Sequence, residues 1–302
     1  MEKIIIEISQ EKTSLTKERG FLKITQGGKS SQIALDNIFS VIISANDVIL
    51  TKTVINALTE KGIIIFLCGS SFVPESVALS TTTHCLSSAR IKQQINAFAD
   101  LNKKLWATII RQKIHNQAKV LDYYEPFSKD LTRLKFLEKN ISENDCSNNE
   151  GQASKVYFKA LFGKDFIRNR NADDLNIYLN YAYIVLRSAV IRSVCAAGLT
   201  VALGIKHCNP TNAYPLADDL IEPFRPVADY IVKKIIERHK NEEIALTPQI
   251  KREICSLLTF SLKGEHGKIL LPEAISKTIH SLTESYKENK DQLYFPTLEL
   301  SE

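Results

Sequence analysis

The segment GIKHCNPTNAYPLADDLIEPFRP, residues 204–226, decides how the larger part of this chain folds. It is polar and rich in turn-forming residues, and it separates an apolar helical stretch from a second helical stretch. Its ionisable side chains are His207, Asp218, Asp219, Glu222 and Arg225. So many ionisable groups beside buried elements favour a bound ligand, and a divalent metal ion with a phosphate substrate suits these groups.

Glu222 is expected at the entrance of a helix. The helix should begin near Asp218 and Asp219, one of which would cap its N-terminus. Glu222 then lies in the first turn with Arg225 on the same face, and Pro226 bends or restarts the helix. For Asp218 and Arg225, capping and a local ion pair remain an equal alternative to a binding role. A carboxylate in a first helical turn contributes only about 0.3–1 kcal/mol to stability.

The sequence EGQASKVYFKALFG, residues 150–163, predicts an amphipathic helix with Glu150 in its first turn. Periodicity alone favours a charge that complements the helix dipole, and the alternative is a metal carboxylate. His207 follows a buried helix, where a lone histidine is most often structural. Two carboxylates and an imidazole nevertheless suit Mg²⁺ or Mn²⁺, so the candidate metal ligands are Glu150, His207 and Glu222.

Basic residues near this site are candidates for phosphate contacts. Lys155 and Lys159 follow Glu150 by one and two helical turns. The loop FIRNRN, residues 166–171, is solvated by default, but Arg168 and Arg170 can form a DNA groove together with Arg187, Lys206 and Arg225.

Outside this region the chain divides in two. The first 80 or so residues predict strands, with one short helix over Thr51–Lys61 that ends at Gly62. The sequence GGKSS, residues 27–31, resembles the end of a phosphate-binding loop but lacks its first glycine, which favours a hairpin turn. From about residue 85 the apolar period becomes helical, including a long helix over Asp173–Val194. The expected fold class is α+β, with a small N-terminal β-rich domain, residues 1–86, and a larger all-α domain, residues 87–302.

Composition is that of a soluble globular protein of 302 residues. The net charge is +5, and residues 1–89 balance eight basic against eight acidic side chains, so the excess lies in the remainder. This excess fits a polyanionic partner. Six scattered cysteines without a CxxC spacing and the lack of a signal peptide or apolar membrane span predict a cytoplasmic location.

Taken in order, these motifs resemble the Cas-one family of CRISPR-associated integrases, especially its type II branch. The resemblance covers essentially the whole chain. It rests on EGxAxxxYFxxLFG at 150–163, DxLNxxLNYxYxxLRSxVxRxVxAAGL at 173–199, GIKH at 204–207 and LADDLIEPFRP at 216–226. The chain departs from the family in having GLTVALG where a proline often follows GL, which affects the turn before His207.

The resemblance implies an N-terminal domain that dimerises and a C-terminal catalytic domain in which Glu150, His207 and Glu222 hold the metal. For DNA contacts the family pattern suggests Asp219 and Arg225, which join the basic candidates taken from the residues themselves: Lys155, Lys159, Arg168, Arg170, Arg187 and Lys206. The implied activity is that of a metal-dependent DNA endonuclease and integrase of CRISPR adaptation. In this reaction the 3′-hydroxyl of a short captured DNA attacks a phosphodiester at the edge of a CRISPR repeat.

The implied partners are double-stranded DNA, a second copy of the chain, the small CRISPR-associated subunit Cas-two that bridges two dimers, and the large type II effector nuclease. Two other functions stay open on the sequence alone. One is a structure-selective nuclease that hydrolyses branched DNA with the same metal. The other is a DNA-binding scaffold with an inert metal site.

Overall fold

The computed structural model describes residues 4–69, 74–78, 80, 85–97, 99–240 and 243–300. The chain divides into two compact units, Met1–Cys85 and Leu86–Glu302. The boundary expected from the sequence, after residue 86, lies one residue further along the chain.

The described part of the first unit holds two four-stranded sheets and one helix. One sheet has the order β1-β5-β7-β8 and is parallel except for the antiparallel pair β7–β8. The other has the order β4-β3-β2-β6, with a parallel pair β2–β6 at its edge. The strands are β1 (Ile4–Ile8), β2 (Thr13–Glu18), β3 (Phe21–Gln26), β4 (Lys29–Ala34), β5 (Ile38–Ile43), β6 (Val48–Leu50), β7 (Ile64–Cys68) and β8 (Pro74–Ala78).

Local signals explain most of this unit. Gly27 and Gly28 have positive φ angles and form the turn between β3 and β4, so the GGKSS segment is a hairpin turn as expected. The helix α1 (Lys52–Glu60) is capped by the Thr51 side chain. Every residue of β5 is buried, which is why its apolar run lacks alternation. The three-residue strand β6 escaped prediction because it is too short for a pattern.

The second unit is mostly helical. Its helices are α2 (Ser87–Ile95), α3 (Ala99–Tyr124), α4 (Lys129–Lys139), α5 (Asn149–Phe162), α6 (Asn176–Ala196), α7 (Pro215–Leu220), α8 (Arg225–Arg238), α9 (Pro248–Cys255) and α10 (Leu271–Glu288). The expectation of an all-α domain is wrong in one detail, because β9 (Ser261–Gly264) and β10 (Gly267–Leu270) form an antiparallel hairpin. Strands of four residues give too little alternation to be recognised.

The helices α3 and α6 form the centre of this unit, since both bury residues along most of their length. The buried residues of α3 include three polar side chains, Lys113, Asn116 and Gln117. Buried polar groups require partners, which marks this part of α3 for closer inspection. Over the described ranges, no helix combines the length and apolarity needed to cross a membrane.

Candidate active site

Glu222 lies in a short 3-10 turn, Glu222–Phe224, between α7 and α8. The expected capping by Asp218 or Asp219 is wrong, because both lie inside α7 and neither caps a helix. Pro215 at the start of α7 has a φ angle suited to a first helical turn, and it moves the start of the helix ahead of the aspartates. Pro226 restarts the chain as α8, as expected.

A buried lysine joins the two candidate carboxylates. The ammonium of Lys113, on α3, lies 2.7 Å from Oε1 of Glu150 and 2.7 Å from Oε2 of Glu222. Lys113 and Glu222 are each only 6% exposed. Burial alone would lower the pKa of Lys113, but the charges of Glu222 and Glu150 raise it above its usual value. One small cation therefore already occupies the space between the two carboxylates.

Arg225 holds the other side of Glu222. Its Nε donates a hydrogen bond to Oε1 of Glu222 at 2.8 Å, and its guanidinium stacks over the Tyr183 ring. The Tyr183 hydroxyl in turn donates to the buried carboxylate of Asp229, whose pKa burial raises to about 6. Burial would raise the pKa of Glu222 as well, but Arg225 and Lys113 lower it to about 2. Glu222 is therefore ionised at neutral pH.

Glu150 lies in the first turn of α5, as expected. The helix is capped by Asn148, and the carboxylate of Asp145 accepts hydrogen bonds from the backbone N–H groups of Asn149 and Glu150. Asp145 is itself buried. The polar segment before α5 is therefore an ordered cap that fixes the position of the Glu150 backbone.

His207 is held by Asp219, which lies in α7, the next helix after the His207 loop. Oδ1 of Asp219 lies 2.6 Å from Nδ1 of His207, while Oδ2 accepts hydrogen bonds from the backbone N–H groups of Ile205 and Lys206. The hydrogen bond with Asp219 raises the pKa of His207, and the charge of Glu222 adds to the effect. A histidine whose Nδ1 faces a carboxylate presents Nε2 to a ligand, as in carboxylate–histidine–metal sites.

The loop that carries His207 depends on Gly204. A Cβ added there would lie 2.3 Å from the backbone oxygen of His207 and 3.0 Å from Oδ2 of Asp219. No side chain fits such a space, so the close approach of the loop to Asp219 requires glycine at this position.

The structure places Glu150 and Glu222 against one cation, and His207 against the carboxylate of Asp219. Among the described residues, no three His, Cys, Asp or Glu side chains form a group that holds a metal ion as they stand. The position between the carboxylates belongs instead to Lys113. Two carboxylates and an imidazole are nevertheless the donors that Mg²⁺ or Mn²⁺ takes, and a cationic group already sits between two of them.

The basic candidates differ in exposure. Lys155, Lys159, Arg170 and Lys206 are exposed. Arg168 and Arg187 are partly buried and engaged within the protein: Arg168 hydrogen-bonds to two asparagine side chains, and Arg187 pairs with Asp218 at 2.7 Å.

Asp219 is not placed to meet DNA. Its side chain is fully buried, and both of its oxygens are engaged with the His207 loop. We therefore replace the expected DNA contact at Asp219 with a role in positioning His207.

A cavity of about 540 Å³ opens beside Glu222. Lys113, Glu222 and Arg225 form part of its wall, and the aromatic side chains Phe158 and Phe166 form another part. Four basic candidates also line it: Lys155, Lys159, Arg168 and Arg170. The cavity thus connects the exposed basic residues to Glu222 and the Lys113 ammonium.

Sequence reasoning missed Lys113, Tyr183 and Asp229. A signal for Lys113 was present, because it follows the buried Ile110 by three residues and precedes the buried Ile114, so it falls on the buried face of α3. Neither Tyr183 nor Asp229 stands out in its local sequence, and only the packing of α6 on α8 brings them together.

The architecture and the site are those of a two-unit protein, with a β-rich unit and a mostly helical unit in which a lysine joins two glutamates beside a cavity lined with basic side chains. The chain belongs to the Cas1 family, because the family model "CRISPR associated protein Cas1" matches residues 6–257. This confirms the family expected from the motifs.

Known proteins are similar to this chain in sequence and in fold. The CRISPR-associated endonuclease Cas1 of Neisseria meningitidis serogroup C (strain 8013) is 36% identical over 94% of this chain and 93% of its own length. A casposase bound to integration product has a TM-score of 0.76 and 21% identity, covering 100% of this chain and 95% of its own. A Cas6-RT-Cas1–Cas2 complex has the same TM-score and 17% identity, covering 99% of this chain and 36% of its own. The two structures show that the fold is shared.

Proposed function

We propose that this chain is a metal-dependent DNA endonuclease and integrase that inserts short foreign DNA into a CRISPR array. The observation that carries the proposal is the pair Glu150 and Glu222 around one buried cation, with Glu222 in the wall of a cavity lined with basic residues. The family name of the chain's relatives, CRISPR-associated endonuclease, supports the same reaction class.

In this proposal Glu150, His207 and Glu222 hold a Mg²⁺ or Mn²⁺ ion. When bound, such an ion polarises the scissile phosphate and stabilises the leaving oxygen. Arg225 keeps Glu222 ionised and oriented through its 2.8 Å hydrogen bond. Asp219 fixes the His207 ring with Nε2 directed away from the carboxylate. These residues prepare the site so that little reorganisation is needed during the reaction.

The chemistry needs no nucleophilic side chain, because the 3′-hydroxyl of the captured DNA attacks the phosphodiester at the repeat edge. The protein has to align that hydroxyl with the bond that breaks. Exposed Lys155, Lys159 and Arg170 on the cavity wall and Lys206 beside His207 are placed to hold phosphates by charge. Arg168, Arg187 and Arg225 act instead through the residues they hold.

The proposed assembly follows the family. Residues 1–86 would form the dimer surface, and residues 87–302 would carry catalysis on double-stranded DNA. The Cas6-RT-Cas1–Cas2 complex, whose fold this chain shares, supports a bridging Cas-two subunit as a partner. We further propose the large type II effector nuclease as a partner and the cytoplasm as the location.

A strand-transfer assay tests the proposed function. Purified protein with the small partner subunit is mixed with DNA bearing free 3′-hydroxyls and a plasmid bearing the repeat, in Mg²⁺ or Mn²⁺. We expect joined product that disappears when the 3′ ends are blocked and in the Glu150→Gln and His207→Ala variants. Cleavage of branched DNA without joining would favour the hydrolytic nuclease, and full activity in both variants would refute the ligand assignment.

A further inference from the structure

We propose that Lys113 is a built-in cation that holds Glu150 and Glu222 together in the metal-free protein and moves to Gln117 when the divalent ion binds. The inference rests on the proposed function, because it takes both glutamates as metal ligands. It adds a residue that the proposed ligand set lacks, and it gives the site two defined states.

The first state is the one observed. The Lys113 ammonium lies 2.7 Å from an oxygen of each glutamate. Its contact with Oε2 of Glu222 is an ion pair without the alignment of a hydrogen bond, so that oxygen keeps an unused acceptor. The two negative charges are balanced by Lys113 and by Arg225, which binds the other oxygen of Glu222 at 2.8 Å.

A divalent ion bound by both carboxylates would take the place where the ammonium now lies. Two cations a few ångströms apart in a buried site repel strongly, and a metal ion offers the carboxylates the larger charge. Arg225 is confined by the Tyr183 ring beneath it and by Glu222. Lys113 is therefore the group that must leave.

The second state has a prepared acceptor. Gln117 lies one helical turn beyond Lys113 on α3, and residues four apart on a helix are neighbours. Gln117 is only 1% exposed, and its Oε1 has no hydrogen-bond partner among the described residues. A buried acceptor without a partner is costly, which requires an explanation. Lys113 and Gln117 both line the cavity, so the ammonium has room to turn from the carboxylates toward Oε1.

The move couples the metal to the cavity. After it, the positive charge of Lys113 lies beside the wall that carries Lys155 and Lys159. The metal-bound protein would thus present a more positive cavity to DNA phosphates. Divalent metal and DNA are then expected to strengthen each other's binding.

Mn²⁺ titration of the full chain without DNA tests the inference, with free Mn²⁺ measured by electron paramagnetic resonance. Lys113→Met removes the competing cation, so we expect the Kd for Mn²⁺ to fall about tenfold, equivalent to about 1.4 kcal/mol. Gln117→Leu removes the acceptor for the displaced ammonium and should raise the Kd. Lys119→Met, an exposed lysine on the same helix, should leave the Kd unchanged.

The variants separate failure of the inference from failure of the proposed site. Loss of Mn²⁺ binding in Glu150→Gln and Glu222→Gln supports the metal site. If the two glutamine variants lose Mn²⁺ binding but Lys113→Met shows an unchanged or higher Kd, the metal site stands and only the displacement of Lys113 is refuted. If both glutamine variants bind Mn²⁺ like the original chain, the metal site itself is wrong.

Folding of the Lys113 variant is checked by its melting curve. We expect Lys113→Met to melt several degrees lower without metal, because Glu150 and the buried Glu222 lose the cation that joins them, and to recover with Mn²⁺. If Lys113→Met does not fold, Gln117→Leu carries the test, and an unchanged Kd in that variant refutes the proposed second state.

Discussion

At the scale of single residues, Glu222 shows how far burial changes the meaning of a side chain. The motif predicted a carboxylate near a helix start, and such a group is worth little to stability. In the structure Glu222 is buried and paired with Lys113 and Arg225, which are also largely buried. Its role in binding and its role in holding the fold therefore cannot be separated by simple truncation.

Glu222→Ala is expected to abolish joining and also to destabilise the second unit by about 3–5 kcal/mol, because it leaves two cations without their partner. Urea unfolding monitored by circular dichroism measures this change. Glu237→Ala on α8, which removes only a surface pair at 3.7 Å from Lys233, should cost less than about 1 kcal/mol. A loss below about 1 kcal/mol in Glu222→Ala would contradict the buried network.

Asp219→Asn is expected to weaken Mn²⁺ binding about 10- to 100-fold, a range typical for residues that orient metal ligands. The amide would place donors against the backbone N–H groups of Ile205 and Lys206, which now donate to Oδ2. Calorimetric titration with Mn²⁺ measures the effect. Asp218→Asn, whose carboxylate pairs with Arg187, is the matched control and should change the Mn²⁺ affinity less than threefold or so. Equal effects in the two variants would argue against a special role for Asp219.

At the scale of elements, the sequence predicted those with strong local signals. The turn at Gly27 and Gly28, the helix α5 and the long helix α6 follow from turn chemistry and apolar period. The start of α7 and the hairpin β9–β10 escaped prediction. In the first case proline outweighed the aspartates as a helix start, and in the second the strands were too short for their pattern to be read.

The His207 loop is the element on which the site depends most. Gly204→Ala is expected to lower Mn²⁺ affinity at least about tenfold, because the new Cβ would push the loop away from Asp219. Gly20→Ala, at a turn where a Cβ meets nothing within 4 Å, is the control and should behave like the original chain. Both variants are compared by Mn²⁺ titration. An unchanged Mn²⁺ affinity in Gly204→Ala would show that the His207 loop can move without loss of the metal site, and would contradict the prediction.

At the scale of the whole molecule, the family and the two-part organisation were predictable because several motifs occur in a fixed order along the chain. The pairing of individual charges could not be predicted from the sequence. Arginines that looked free for DNA in the sequence, such as Arg168 and Arg187, are held by internal partners. Pairing between residues distant in sequence leaves no local pattern, and this is also why Lys113 was missed.

The remaining exposed charges predict how salt affects DNA binding. Replacing both Lys155 and Lys159 by alanine should reduce the slope of log affinity against log salt by about 1.8, since each phosphate contact contributes about 0.9. Fluorescence anisotropy with labelled double-stranded DNA at several salt concentrations measures this slope. The double variant Lys277→Ala with Lys287→Ala, on α10, should keep the original slope. An unchanged slope in the first variant would exclude these lysines as phosphate contacts.

We propose that Glu150, His207 and Glu222 converge on one divalent ion, and the rest of the mechanism depends on this convergence. Diffraction from crystals grown with Mn²⁺, recorded at a wavelength where manganese scatters anomalously, tests it most directly. We expect one strong anomalous peak within coordination distance of all three side chains, with the Lys113 ammonium turned toward Gln117. A manganese peak away from these residues, or none there while Lys113 still joins both glutamates at saturating Mn²⁺, would contradict it.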